Sequence, residues 1–304
     1  MSWSGIAAVA IVLFIAPLLP GLAAKTKARL TGRRGAPVHQ LYWDLARLWR
    51  KGAVYSRTTT WIFRFAPVVL VLTGVLAALF LPLDGQRGVV TFSGDLVAFA
   101  YLLALGRFFV VLAALDTGSS FEGMGASREV TVAAFAEPAL FLALVALVLA
   151  TGRLSLTGIL GAPLAHAWPA AAPALAMVAV SLFLVLLAEG SRVPVDDPAT
   201  HLELTMIHEV MVLDHSGPDL ALLLYGSALK LALVGALVVA VIAPRAALPP
   251  LVGLAVLVLG LMVVAGIIGV VESVMARLRL DRVPQFLTAA SVLAALGVIL
   301  MLVA

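Results

Sequence analysis

The sequence contains no cysteine and few charged residues. Without cysteine, its 304 residues can form no disulfide, no thiolate metal site and no iron–sulfur cluster of their own. Only 12% of the residues are Asp, Glu, Lys or Arg, whereas 63% are hydrophobic and the mean hydropathy is +1.13. Soluble globular proteins contain roughly 45–50% apolar residues, so a water-soluble fold is excluded. Any electron carrier must belong to a partner protein.

Long apolar runs indicate membrane-spanning helices. One bilayer crossing needs roughly 20 mostly apolar residues, and membrane barrels need short alternating segments instead. Eight runs meet the helix requirement, at residues 3–24, 62–83, 94–115, 129–151, 170–189, 219–243, 248–271 and 284–303. The sequence therefore predicts an all-α integral membrane protein, with residues 1–304 as a single polytopic domain.

The distribution of basic residues predicts an orientation. The first apolar run has no basic residue before it and three soon after it, which favours an uncleaved span over a signal peptide. With the N-terminus outside, 15 of the 20 Lys and Arg residues lie on the inner side, in 25–61, 116–128, 190–218 and 272–283 and at Arg64. The positive-inside rule thus explains the net charge of +4 without nucleic-acid binding. Both termini are predicted to lie on the outer side of the membrane. The membrane is predicted to be a prokaryotic cytoplasmic (inner) membrane.

A short segment on the inner side is amphipathic. Within residues 36–51, Leu41, Leu45 and Leu48 recur at helical spacing, and basic residues flank them. This pattern predicts a helix that lies in the membrane interface. Anchoring to the lipid surface and docking of a partner protein are both compatible with it.

Three ionisable residues lie at membrane depth, away from the ends of the predicted spans, where an unpaired charge costs several kcal/mol. Arg107 and Glu137 lie about eight and nine residues from the inner ends of neighbouring antiparallel spans, which predicts an ion pair. Lys230 lies near the middle of the sixth span and must meet a carboxylate from another helix or another subunit, or lose its proton. These groups either stabilise helix packing or take part in a proton relay or in charge coupling to a neighbouring subunit.

An acidic loop interrupts the basic inner side. Residues 189–219 carry seven carboxylates against Arg192, a net charge of −6. A helix is predicted over 199–213, ended by Gly217 and Pro218. The loop is expected to face a docked protein or a water-filled entrance. The residues predicted for docking are Arg128, Arg192, Asp196, Asp197, His201, His208, Glu209 and Asp214.

The histidines do not form a recognisable metal or haem site. None of the five lies inside a predicted span, which argues against axial ligation of haem. His201, His208 and His215 recur every seven residues, about 10 Å along a helix and too far apart to share one ion. The H-E-x-x-H zinc pattern is also absent. No metal, cofactor or catalytic residue is predicted in this chain.

Three motifs carry a resemblance to a known family. They are AEGSRVPVDDP at 188–198 with HLELTMIHE at 201–209, FEGMGASRE at 121–129 with AEP at 136–138, and GRRG at 32–35 with DLARL at 44–48. Together they resemble the membrane subunits of formate hydrogenlyase (its subunit 4) and of group 4 nickel–iron hydrogenases. That family is similar to subunit 1 of respiratory complex I, the H subunit of the bacterial enzyme.

The resemblance implies a non-catalytic membrane anchor in an oxidoreductase complex. The implied partners are nickel–iron large and iron–sulfur small hydrogenase-like subunits, a ferredoxin-like subunit, and antiporter-like membrane subunits. By the resemblance, Glu189, Arg192, Asp196 and Glu203 match the family's acidic loop, while Arg128 and Glu137 match its fourth helix. The predicted charged path is Glu137, Glu189, Glu203, Arg107 and Lys230.

Two alternatives remain open. One is a complex I subunit that forms part of a quinone chamber. Against it, the loop has fewer acidic positions after Pro198 than complex I, and Lys230 occupies a span where complex I subunits tend to have a glutamate nearby. The other alternative is a stand-alone secondary transporter. Against that function, the sequence shows no inverted repeat and no pair of Gly- or Pro-broken helices at the midplane.

Overall fold

The computed structural model describes residues 3–197 and 206–303, and in that part of the chain all regular structure is helical. The α-helices are α1 (Trp3–Ile15), α2 (Leu18–Leu30), α3 (Gln40–Leu48), α4 (Trp61–Ala78), α5 (Asp95–Asp116), α6 (Ser120–Thr151), α7 (Leu156–Ile159), α8 (Ala162–Glu189), α9 (Gly217–Ile242), α10 (Pro250–Val274) and α11 (Val283–Val303). Two short 3₁₀ helices span Val210–Val212 and Leu280–Arg282.

The helices form a multi-pass membrane bundle, as predicted. Seven of them are long and apolar enough to cross a bilayer, namely α4, α5, α6, α8, α9, α10 and α11. The pair α1 and α2 forms an eighth candidate crossing if the two helices, which are bent by 44°, count as one span. The helix predicted over 3–24 is thus divided into two helices.

Proline explains the break in this first span. Pro17 has no backbone N–H and cannot donate to the carbonyl of Leu13, one turn earlier. The hydroxyl of Tyr225, on α9, donates to that carbonyl instead, at 3.0 Å. The hydroxyl of Tyr42, on α3, donates to the carbonyl of Phe14. Two tyrosines from other elements thus replace helical hydrogen bonds at the bend.

Helix α9 lies at the centre of the bundle. It contacts α4, α8 and α10, while α11 packs on α6 and α8, and α10 packs on α2. Its residues from Leu231 to Val241 are all buried. Small residues allow close packing: a Cβ on Gly226 would lie 2.7 Å from the side chain of Leu70 on α4. Side chains on α9 are therefore placed between the surrounding helices.

One helix begins earlier than predicted, and another is kinked. Helix α6 begins at Ser120 rather than 129. Helix α8 covers Ala162–Glu189, but its backbone is non-helical at Ala171, so the predicted start at 170 lies at this kink. Hydropathy marks where apolar residues end, whereas a helix continues wherever its polar residues are satisfied by the protein. His166 lies in the first turns of α8, before the kink at Ala171 and before the predicted span over 170–189.

Two predicted helices on the basic side are shorter than expected. Helix α3 covers Gln40–Leu48 rather than 36–51. Of the helix predicted over 199–213, residues 199–205 lie outside the described part of the chain, and 206–213 contain only the 3₁₀ turn Val210–Val212. The backbone N–H of His208 donates to the carboxylate of Asp196, so it is not used for an α-helical bond.

Candidate functional site

Four charged side chains form a continuous chain in the bundle. Arg107 contacts both Glu137 and Glu189, and its Nη1 lies 2.5 Å from Glu189 Oε1. The other oxygen of Glu189, Oε2, lies 2.9 Å from Lys230 Nζ. The order of contacts is therefore Glu137, Arg107, Glu189, Lys230. The ion pair predicted from equal depth is present, and Lys230 meets the carboxylate that it requires.

Each of these four residues comes from a different helix. Arg107 lies on α5, Glu137 on α6 and Lys230 on α9, while Glu189 is the last residue of α8. The side chains of Arg107, Glu189 and Lys230 are only 8–12% exposed. Buried charges of this kind are strongly interdependent, because removing one partner leaves another uncompensated.

Glu137 differs from the other three because its side chain is 40% exposed. It borders a small depression on the side of the bundle, together with Tyr101 and Phe141. Pro138 follows it in α6 and cannot donate a backbone hydrogen bond to the preceding turn. The chain of charges thus runs from the interior to an outward-facing carboxylate within a membrane span.

A cavity of about 710 Å³ lies beside the three buried members of this chain of charges. Arg107, Glu189 and Lys230 all contribute to its wall. Four residues that follow α2 on the basic side of the bundle also line it, and each is exposed: Thr31, Arg33, Gly35 and Ala36. The buried charges are therefore adjacent to a space large enough to hold many water molecules.

A second group of charges lines the same cavity. Lys27 Nζ lies 3.5 Å from Asp197 Oδ1 and 4.0 Å from Glu272 Oε2. Arg192 Nη1 lies 3.5 Å from Glu272 Oε1. These contacts join α2, the beginning of the acidic loop and the last turn of α10. Glu272 was not predicted as a site residue, although an isolated carboxylate directly after the seventh apolar run was a signal for it.

The acidic loop begins inside the protein rather than on its surface. Residues 192–196 are all buried. Asp196 Oδ1 lies 2.9 Å from the guanidinium of Arg277, and Asp196 Oδ2 accepts the backbone N–H of His208 at 3.0 Å. Arg192 and Asp196, which were predicted for docking, are thus placed in internal contacts. Their role in docking stays a prediction.

Helix α6 supports the later part of the loop. Arg128 Nη1 donates to the carbonyl of Met206 at 2.8 Å. Directly beside it, a Cβ on Gly125 would lie 2.3 Å from the side chain of Val210 and 3.0 Å from the carbonyl of Ile207. Within the FEGMGASRE motif, Gly125 therefore allows the loop to pack closely against α6.

The two described histidines of this loop have different surroundings. His208 lines the cavity, and its Nε2 lies 2.8 Å from the hydroxyl of Ser227 on α9. His215 is buried and stacks on Phe63 with ring centroids 3.8 Å apart. Burial lowers the pKa of His215 to about 4, so this imidazole is neutral at physiological pH.

The remaining residues predicted in the acidic loop differ in their exposure. The side chain of Asp214 is exposed, and its backbone N–H donates to Glu122 Oε1 at 3.0 Å. Glu209 is half-buried next to the 3₁₀ turn. Glu203 and His201 lie outside the described residues.

Two charged residues that are buried at the opposite end of the bundle were not predicted from the sequence. Arg245 follows α9 and is only 3% exposed. Its Nη1 donates to the carbonyl of Leu83 at 3.1 Å, near the buried carboxyl of Asp84. Burial lowers the pKa of Arg245 to about 10. Arg245 and Asp84 are single charged residues in separate short loops, and no sequence pattern indicated that the two loops meet.

Comparison with known proteins decides the family. A family model described as NADH dehydrogenase matches residues 4–303, nearly the whole chain. The chain belongs to the NADH dehydrogenase family. It is 34% identical over 235 residues to hydrogenase-4 component C of Escherichia coli K12, a match covering 77% of this chain and 73% of that protein. It is 32% identical over 285 residues to formate hydrogenlyase subunit 4 of the same organism, covering 91% of each.

The fold of this NADH dehydrogenase family member also matches a solved structure. A chain of the membrane-bound sulfane sulfur reductase, an archaeal respiratory membrane complex, superposes with a TM-score of 0.85. The two chains are 23% identical, and the match covers 98% of each. The resemblance inferred from the three motifs is confirmed, as is the complex I subunit 1-like fold.

Proposed function

We propose that this member of the NADH dehydrogenase family is a non-catalytic membrane subunit of a hydrogenase- or formate hydrogenlyase-type respiratory complex. Two relatives carry such names and match more than two thirds of this chain. In this role the protein anchors a peripheral arm and couples its electron transfer to the movement of protons or other ions. The membrane is the inner membrane of a prokaryote, with the basic side facing the cytoplasm.

One observation carries the coupling role: four charges in contact link a cavity to an outward-facing carboxylate at membrane depth. Arg107 keeps its proton under all ordinary conditions, so protons cannot pass through it. It can still transmit a change of charge. If Lys230 gives its proton to Glu189, Arg107 loses one anionic partner and is attracted more strongly to Glu137. A proton transfer beside the cavity thereby changes the electrostatic attraction on the Glu137 carboxylate, at the opposite end of the chain of charges.

The exposure of Glu137 supports contact with another membrane subunit. A carboxylate that is 40% exposed at this depth would be costly against lipid tails. We therefore place an antiporter-like subunit against Glu137, Tyr101 and Phe141, with polar groups or water facing the carboxylate. The change of charge at Glu137 would then act on that subunit.

The peripheral arm docks on the basic side of the bundle. Its proposed members are the nickel–iron large subunit, the iron–sulfur small subunit and a ferredoxin-like subunit. They supply the nickel–iron centre and iron–sulfur clusters, since this chain has no cysteine to hold a cluster. The exposed carboxylate of Asp214 lies on this side and is available for docking.

The test uses the intact complex reconstituted in liposomes, with electron transfer and internal pH measured together. Glu137→Gln removes the ionisable carboxylate but preserves its size. We expect electron transfer to continue while ion movement per electron falls at least about tenfold. Asp281→Asn is the matched control, because that carboxylate is 62% exposed and pairs with its neighbour Arg279. Normal ion movement in the Glu137→Gln complex would falsify the coupling role.

The cavity favours one further candidate, a quinone-chamber subunit. Its volume of about 710 Å³ is sufficient for an amphipathic molecule of moderate size. The same purified complex discriminates between the two functions. Reduction of an added short-chain quinone, competitive with a quinone analogue, would support the quinone chamber, whereas electron transfer unaffected by either compound would support the hydrogenase-type function.

A further inference from the structure

We infer that His208 is the proton-carrying side chain that connects the cavity to the buried chain of charges. The inference rests on the proposed ion-coupling function and names its entry group. The sequence placed His208 among residues that dock a partner. In the structure it instead faces the cavity, with Nε2 2.8 Å from the hydroxyl of Ser227 and its backbone N–H bound to Asp196.

Ser227 connects this imidazole to the ion pairs. It lies three residues before Lys230 on α9, so both side chains lie on the same face of the helix, one turn apart. Both residues line the cavity. A hydroxyl both donates and accepts hydrogen bonds, which allows it to pass a proton between an imidazole and an amine. The resulting order is His208, Ser227, Lys230, Glu189.

Three charged groups face His208. Glu129 on α6 is 7% exposed and lines the same cavity, Lys230 approaches from α9, and Asp196 holds the backbone of His208 in place. Burial lowers the pKa of His208, Glu129 opposes this shift, Lys230 adds to it, and Asp196 again opposes it. Burial and the charge of Lys230 both oppose protonation of His208. When Lys230 loses its charge, only burial still opposes it. Uptake of a proton by His208 is thereby linked to the state of Lys230.

The proton transfer balances without any redox reagent. Lys230 first gives one proton to Glu189 Oε2 and becomes a neutral amine. A proton from cavity water then binds His208 Nδ1, and the imidazolium gives its Nε2 proton to Ser227 while the Ser227 hydroxyl proton passes to Lys230. The net result is one proton moved from the cavity to the Lys230–Glu189 pair, with only O–H and N–H bonds exchanged. A later change of tautomer resets His208.

The other described histidines do not share these features. His215 stacks on Phe63, His39 is exposed before α3, and His166 is exposed in the first turns of α8. Of these four histidines, His208 is the one that lines the cavity. His39 therefore serves as the matched control.

The experiment compares variants of the intact complex in liposomes that contain a pH-sensitive dye. His208→Gln retains a hydrogen-bonding side chain for Ser227 but cannot carry a proton at neutral pH. We expect normal electron transfer and a ratio of protons to electrons that falls at least about tenfold. His39→Gln should leave this ratio unchanged. If His208→Gln does not assemble, Ser227→Ala interrupts the same route within an intact helix and should lower the ratio likewise.

Chemical rescue separates proton transfer from a structural role. His208→Ala should also lose proton movement, and added imidazole should restore it, because the cavity can admit the small molecule. A variant that imidazole does not restore would assign His208 a structural role and overturn the inference. So would a wild-type ratio in His208→Gln while Glu137→Gln loses ion movement; in that case the coupling function survives. If both variants keep the wild-type ratio, the coupling function fails as well.

Discussion

Glu189 Oε2 lies 2.9 Å from Lys230 Nζ, and this contact joins the last residue of α8 to the centre of α9. The same carboxylate binds Arg107 through its other oxygen. One acidic group therefore balances two cations in the interior. Its exact position matters, because α8 ends inside the bundle and the loop that follows continues through buried residues.

This arrangement predicts strong coupling between Glu189 and Lys230. Glu189→Gln leaves two buried cations without full compensation and should destabilise the protein by about 3–5 kcal/mol. Lys230→Met combined with Glu189→Gln should recover part of that loss, because only Arg107 then needs a partner. A double-mutant cycle of thermal unfolding in detergent measures the interaction. Additive effects of the two substitutions would contradict the contact.

The bend between α1 and α2 depends on Tyr225. Tyr225→Phe leaves the carbonyl of Leu13 without its donor, since Pro17 has no N–H to offer. We expect a loss of about 1–3 kcal/mol in the free energy of unfolding, the cost of an unsatisfied buried polar group. Tyr101→Phe, at a side chain that is 61% exposed, is the control and should change little. Equal stability of the two variants would show that the hydroxyl of Tyr225 is dispensable.

Gly125 should be far less tolerant than its neighbour Gly123. A Cβ at Gly125 meets Val210 at 2.3 Å, whereas at Gly123 no atom lies within 4 Å. Gly125→Val should displace the loop, separate Arg128 from Met206, and make the loop more sensitive to limited proteolysis. Gly123→Ala should leave the cleavage rate unchanged. The same rate in both variants would mean that the loop does not rest on this helix surface.

Acid should destabilise the region around His215. The pKa of His215 is lowered by burial to about 4, below its usual value of about 6.5, so the unfolded chain binds a proton more readily than the folded one. The part of the free energy of unfolding that depends on His215 being neutral is constant above about pH 6.5, and it is lost as the pH falls from about 6.5 to about 4. His215→Phe, which preserves the stacking on Phe63, should remove that part of the pH dependence. Unfolding temperatures measured across this range test the prediction, and an unchanged slope in the variant would refute it.

Much of the fold could be predicted from the sequence because membrane insertion depends on local composition. About 20 apolar residues in succession are sufficient to indicate a span, and seven of the eight predicted runs correspond to single long helices. Depth along a helix is also local information, so the pairing of Arg107 with Glu137 followed from counting residues. The bend within the first span was not predicted, because hydropathy does not register the backbone hydrogen bond that Pro17 removes.

The sequence by itself determined an all-helical membrane bundle, its three charges at membrane depth and its lack of any cluster-binding cysteine. Only the tertiary structure decided which carboxylate Lys230 meets, that Glu272 joins the cavity wall, and that His208 faces inward. These contacts join residues far apart in the chain, such as Arg107 and Glu189, separated by 82 positions. The physical reason is that helix packing chooses charge partners, and packing depends on small residues and close approaches distributed over the whole bundle.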